Sequence, residues 1–242
     1  MKKIIFWTAL ISVLGLLIGA CAKRDDDSAT TPFTVSCEDT TASGSITIGS
    51  DTVSGTYLVQ TWTDSSLSRL ATGCTATTTY YGSPTGTQSV LIKRIVTSST
   101  SFVDYVGYYS DTACSSRLSY VEKRYSNVSV GDQVSGLDTS SGRPNSGYKI
   151  TYNGECGTMV GDTDAATDKL NATYAYLLRF NLLTTGTEKV FNMGWGGGLA
   201  NTSYDIWGAG DNGTTYSFYS AQGYESQPSD WDTNSGGKTF QR

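Results

Sequence analysis

From about Ser45 to its end, the chain alternates short apolar or Thr- and Tyr-rich runs with turn residues. A chain punctuated this way buries a core most readily as many short β-strands. The runs predict strands at Ser45–Ile48, Gly55–Thr63, Thr75–Tyr81, Gln88–Thr97, Phe102–Tyr109, Leu118–Tyr125, Tyr148–Tyr152, Lys189–Trp195, Tyr204–Trp207, Thr214–Tyr219 and Lys238–Gln241. In Tyr148–Tyr152, residues Tyr148, Ile150 and Tyr152 share one face while Lys149 and Thr151 take the other. Asn153-Gly154 and Asp211-Asn212-Gly213 carry the strongest hairpin-turn signals. Gly131 to Gly147 is the longest polar gap and reads as a long loop.

One stretch is ambiguous. Tyr174, Tyr176, Leu178, Phe180 and Leu182 alternate as a strand would, while Leu170, Tyr174, Leu177, Leu178 and Leu182 fit a helix. The reading adopted is a short helix over Thr163 to Leu170, with acidic residues near its start, followed by a strand from Tyr174. The expected fold class is therefore all-β, an antiparallel barrel or half-barrel with at most one short helix.

The first residues set where this body folds. Lys2 and Lys3 precede an apolar run from Ile4 to Ala20, which ends in Leu17-Ile18-Gly19-Ala20-Cys21. A basic start, an apolar middle and small residues before a cut site make a secretory signal peptide. Leu17 to Cys21 resembles the bacterial lipobox. That resemblance implies cleavage before Cys21 and a diacylglycerol on its thiol. The alternative is a retained span, but 17 residues is short against the ~20 apolar residues that cross a bilayer. The expected organisation is a signal peptide over 1–20, a tether over 21–32 and a single β domain over 33–242. Lys23-Arg24-Asp25-Asp26-Asp27 reads as a solvated spacer. A Lys followed by acids behind an acylated cysteine also resembles the surface-export signal of Bacteroidetes lipoproteins. Ala22 suits outer-membrane sorting, so the expected location is the cell envelope, at the outer membrane or displayed on the surface, with the membrane as partner.

Export makes the other cysteines matter. Cys37, Cys74, Cys114 and Cys156 read as two disulfides with three pairings open. No C-x-x-C is present, so no thiolate metal site is expected. Composition closes further doors. Histidine is absent, which removes imidazole bases, Ser-His or Cys-His pairs and His metal ligands. With Lys2 and Lys3 removed from 17 basic and 22 acidic residues, 15 stand against 22, a net charge of −7. Such a surface argues against nucleic acid as a partner.

The middle of the chain carries the most specific pattern. Gly55-Thr56-Tyr57 opens a strand containing Trp62, and Cys74 follows. Then come Phe102-Val103-Asp104-Tyr105, Tyr108-Tyr109-Ser110-Asp111-Thr112-Ala113-Cys114 and Tyr125-Ser126-Asn127-Val128-Ser129-Val130-Gly131. Near the end stand Tyr204-Asp205-Ile206-Trp207-Gly208 and Gln227-Pro228-Ser229-Asp230-Trp231-Asp232. This order resembles bacterial lipocalin-like lipoproteins and the extracellular domain named for the adenomatosis-polyposis-coli down-regulated protein. Tyr57 stands where that pattern has Trp, and Gln227 where it has Arg. The resemblance implies a lipocalin-like barrel whose apolar interior holds a lipid or another lipophilic small molecule. It also implies the pairing of Cys74 with Cys114; Cys37 with Cys156 is the pairing expected beside it. The alternatives are a barrel or sandwich filled by its own side chains, serving as a surface adhesin or interaction protein, and a hydrolase using paired carboxylates.

No nucleophile elbow, phosphate loop or zinc signature is present, so no catalytic residue, metal ligand or cofactor is expected. Gly194-Trp195-Gly196-Gly197-Gly198 reads as a loop or bulge. Asp162-Thr163-Asp164 with Asp168 hints at calcium, but Ala166 and Thr167 stand where an EF-hand wants Asp or Asn and Gly. Glu38, Glu122, Glu155, Glu188 and Glu225 lie in no hydrolase signature. Asn127, Asn171, Asn201 and Asn212 begin N-x-[ST] sequons.

Overall fold

A computed structural model describes residues 37, 40–62, 73–76, 78, 80–139, 144–178, 181–193, 202–211, 216–220, 228–229 and 238–241. All of them belong to one compact unit, Val35–Arg242. The expected signal peptide and tether, Cys21, the Gly194–Gly198 run and most of Gln227–Asp232 lie outside the described residues.

Among the described residues the strands are β1 (Ser45–Ile48), β2 (Asp51–Ser54), β3 (Thr56–Trp62), β4 (Cys74–Ala76), β5 (Ser89–Val96), β6 (Phe102–Tyr109), β7 (Arg117–Ser135), β8 (Ser146–Gly161), β9 (Lys189–Asn192), β10 (Thr202–Asp211), β11 (Tyr216–Ser220) and β12 (Lys238–Gln241). Helices α1 (Asp164–Thr173) and α2 (Ala175–Leu178) stand between β8 and β9. Every pairing is antiparallel. Apart from the β1–β2 hairpin, the strands form one ten-stranded sheet. Its pairings run β3, β5, β6, β7, β8, then through β10, β11 and β12 back to β3. The sheet is thus curled upon itself, the curvature expected of a barrel or half-barrel.

Alternation decides what lies inside. On β5 and β6 one face carries Val90, Ile92, Arg94 and Val96 beside Phe102, Val106 and Tyr108. With Ile150, Tyr152, Trp207, Tyr57, Val59 and Val128 they make the main core, and Ile46, Ile48 and Val53 of the β1–β2 hairpin plug into it. A second cluster continues on the same face, where α1 and α2 cover β7 to β9. It joins Leu170, Tyr174, Leu177 and Leu178 to Val121, Met159 and Phe191. Each fully buried Val, Leu or Phe side chain contributes roughly 1.5–3 kcal/mol, so these two clusters hold the fold.

Several strand expectations are corrected. A strand from Tyr174 would put Tyr176 on the same face as Tyr174 and Leu178, yet Tyr176 is 47% exposed while the other two are buried. Leu170, Tyr174, Leu177 and Leu178 instead bury at helical spacing, so the segment is helical and there are two short helices. Thr163 caps α1, its hydroxyl accepting from the Ala166 N–H. Asn153-Gly154 makes no hairpin, because β8 runs through it. Tyr125 pairs with Gly154 and Arg124 with Cys156, so Glu155 is the extra residue of a bulge. A second bulge lies on β7, where Asn127 has φ 55°. Bulges let β7 and β8 bend rather than stop, so 131–135 is strand and the expected loop shrinks to 136–145. β2 was not expected as a separate strand; Gly49, at φ 62°, turns the chain into it. The run Thr75–Tyr81 keeps its strand only to Ala76, since Tyr80 enters a turn in which the Ser83 N–H donates to its carbonyl.

Both disulfides join distant parts. Cys74 bonds to Cys114, tying β4 to the loop after β6, and Cys37 bonds to Cys156 on β8. In the loop before Cys114, the Asp111 carboxylate accepts the N–H groups of Ala113, Ser115 and Ser116 and the Ser115 hydroxyl. Those donors, the Ser115 N–H first, hold the Asp111 pKa well below the usual carboxylate range against a smaller opposing effect of desolvation. The folded pKa is depressed, so the stabilisation is present above the unfolded value of about 3.9 and is lost as pH falls below it. Between about pH 5 and pH 2 the urea midpoint should therefore fall more for the wild type than for Asp111→Asn. Equal acid sensitivity of the two proteins would remove Asp111 from this role.

Candidate functional site

The register places three charges in one row across the inner face: Arg94 on β5, Asp104 on β6 and Lys123 on β7. Arg94 is 4% exposed and Asp104 20%. The Arg94 Nε and Nη2 donate to the two Asp104 oxygens at 2.6 and 2.7 Å. The guanidinium also lies 4.2 Å from the Phe102 ring centre and 5.2 Å from that of Trp207. Trp207 in turn donates its Nε1–H to Asp205 Oδ2 at 2.7 Å, and Asp205 Oδ1 accepts the Ile206 N–H at 2.8 Å. Burial alone would lower the Arg94 pKa. The Asp104 charge and hydrogen bonds, helped by Asp205, outweigh it, so the cation is held firmly.

Aromatic rings close around this centre. Tyr125 stacks on Phe102 at 4.8 Å, and Tyr152 meets Phe102 edge-on at 5.2 Å. Burial pushes both phenols above their ordinary pKa, with Asp205 adding to the effect at Tyr152 and Asp104 at Tyr125. They serve as neutral rings rather than as bases.

Toward the helices the packing leaves a cavity of about 130 Å³. Val106 and Val121 form its apolar lining, Asp104 and Lys123 its polar one, and Tyr80, Tyr81, Tyr108, Tyr125 and Tyr174 supply the rings. Tyr81, 66% exposed, stands at its mouth, edge-on to Tyr174 at 6.2 Å. The Tyr108 hydroxyl donates to the Tyr81 carbonyl at 2.6 Å and lies within hydrogen-bonding reach of the Tyr174 hydroxyl. Both hydroxyls crowd Gly82, at φ 81°, where a Cβ would stand 3.0 Å from the first and 3.3 Å from the second. Glycine is thus needed for both the turn and the contact.

Among the described residues, each glutamate singled out in the sequence has its own partner. Glu122 accepts from the Thr158 hydroxyl, Glu155 pairs with Arg124, and Glu188 accepts from Tyr120. Burial raises the Glu122 pKa, but no second carboxylate is hydrogen-bonded to it. Glu38 and Glu225 lie outside the described residues. Of the calcium hint, Asp162 pairs with Arg117, and Asp164 accepts the Thr185 hydroxyl. Among the described residues no three acids or cysteines cluster as metal ligands do. Asn171 of the sequons bonds both ways with Leu183, Asn127 forms the β7 bulge, and Asn201 and Asn212 fall outside the described residues.

Arg94, Asp104, Lys123 and the cavity tyrosines were not read from the sequence as a site. A signal did exist: Arg94 falls in the apolar phase of β5, between Ile92 and Val96, and Asp104 in that of β6, between Phe102 and Val106. Opposite charges in the buried phases of neighbouring strands predict a pair. Compared with known proteins, the chain matches no protein-family model and none of the curated proteins.

Proposed function

We propose that the chain is a lipid-anchored, non-enzymatic protein of the cell envelope, acylated at Cys21, whose folded body works through its surface. The observation that carries the choice of a surface role is how closely the described side chains pack the inner face. The inner face is occupied by Arg94, Phe102, Tyr108, Tyr152, Trp207 and the β1–β2 hairpin. Among the described residues, the cavity beside them measures about 130 Å³, against roughly 300–1,000 Å³ for a drug-sized ligand pocket. That favours an adhesin or interaction protein over a lipocalin-like carrier of a lipid. The leading apolar run and Cys21 support the anchor, and the two disulfides suit an oxidising compartment.

Metabolic labelling with an alkyne fatty acid tests the anchor. The wild type should take up label, and Cys21→Ala should lose it and leave the envelope fraction. Label and envelope partition that survive in Cys21→Ala would reject the anchor. Protease shaving of intact cells should release peptides from 35–242; complete protection would reject surface display.

A further inference from the structure

We propose that the tyrosine-lined cavity between β6, β7 and α1 is a binding site for a small single-ring aromatic acid, held by ring stacking and by Lys123. Size comes first. About 130 Å³ is close to the ~150 Å³ apolar cavity that takes up one benzene ring. An acyl chain does not fit this space; one six-membered ring does.

The walls then choose the kind of ring. Tyr80 and Tyr108 stand 6.2 Å apart and inclined at 40°, while Tyr81 and Tyr174 meet at 87°. Such rings offer a guest both faces and edges, and aromatic pairs prefer offset or edge-on geometry. A saturated sugar would instead need several hydrogen-bonding groups aimed inward. The hydroxyls of Tyr108 and Tyr174 are engaged with the Tyr81 carbonyl and with each other. With those two hydroxyls engaged and five tyrosine rings in the lining, the cavity favours an aromatic guest.

The charges set the polarity. Asp104 reaches the cavity, but both its oxygens bind Arg94, so it is poorly placed to take a ligand cation. Lys123 lines the same space with its Nζ 5.6 Å from the Tyr174 ring centre. A guest carboxylate bonded to the Lys123 ammonium, with the guest ring against the tyrosines, would gain a charge-assisted hydrogen bond, stronger than a neutral one. The entrance also bears the exposed ring of Tyr81. An aromatic lip at the mouth suits a planar guest.

Titration of the detergent-purified full chain with benzoate, followed by ligand-observed NMR, tests this. Benzoate should bind with Kd on the order of 0.1–1 mM, as expected for a ligand of so few atoms. Benzyl alcohol should bind more weakly, and cyclohexanecarboxylate more weakly still. Lys123→Gln should weaken benzoate by about tenfold or more and leave benzyl alcohol unchanged. Val106→Phe, which fills the space, should abolish both; unchanged near-UV circular dichroism will show that each variant is folded. If Val106→Phe does not fold, competition of benzoate with phenol and loss of both in Val106→Leu serve the same purpose. No benzoate binding to the wild type, or equal binding to the filled variant, would overturn the site. Equal loss of benzoate and benzyl alcohol in Lys123→Gln would overturn the assignment of Lys123.

Discussion

Arg94→Met should destabilise the folded protein by about 3 kcal/mol or more, the effect expected when one member of a buried ion pair is removed. The side chain is 4% exposed and binds Asp104 through both carboxylate oxygens. Asp205, fully buried, lies close enough to raise the Arg94 pKa. Removing the cation leaves those acids inside the sheet with less compensation. Asp104 retains 20% exposure, so water relieves part of the cost, which places the expectation at the low end of the ~3–5 kcal/mol range. Methionine also gives up the contact between the guanidinium and the Phe102 and Trp207 rings. Urea unfolding at neutral pH, with disulfides intact, should show a lower midpoint and an unchanged slope. The double variant Arg94→Met/Asp104→Leu should recover a large part of the loss. A change below about 1 kcal/mol in the single variant would mean that Arg94 is not the counter-charge of the core.

Cys37→Ala/Cys156→Ala should cost on the order of 5 kcal/mol, more than the ~4 kcal/mol expected for Cys74→Ala/Cys114→Ala. The reason is loop length. The first bond spans a sequence separation of 119, the second 40, and longer closed loops constrain the unfolded chain more. Cys37 stands near the start of the compact unit and Cys156 sits in the middle of β8, fully buried. Without the bond, the segment before β1 is held to β8 only by noncovalent contacts. Urea unfolding of the two double variants under non-reducing conditions gives the comparison. A reversed order would reject loop closure as the main source of the effect.

Strand positions were legible because burial and alternation agree. Phe102–Tyr109 and Lys238–Gln241 have the predicted ends, as does Ser45–Ile48. Legibility failed where a turn residue did something other than turn. Asn153-Gly154 satisfies a hairpin signal equally well as a bulge, and only the long ladder between β7 and β8 decides between them. It failed again at Tyr174, where one set of apolar residues fits two periods. The exposure of Tyr176, which belongs to the strand pattern alone, settles the matter, and exposure depends on what lies beneath the segment. The candidate site was the least legible. Its residues come from β5, β6, β7, α1 and the turn at Tyr80, and no local spacing announces their meeting. The misplaced charges of Arg94 and Asp104 were the one local clue, and they read as a pair only once β5 is known to lie beside β6.

The pairing of β12 with β3 joins residues near opposite ends of the compact unit. Lys238–Gln241 supplies the strand that links β11 to β3, so the ladder has a gap until that segment is in place. A chain that has not yet delivered Lys238–Gln241 cannot complete this architecture. Contacts so distant along the polymer also slow the search for the native arrangement. Loss of Lys238–Gln241 would thus leave two unsatisfied strand edges, on β11 and β3, inviting self-association in place of folding.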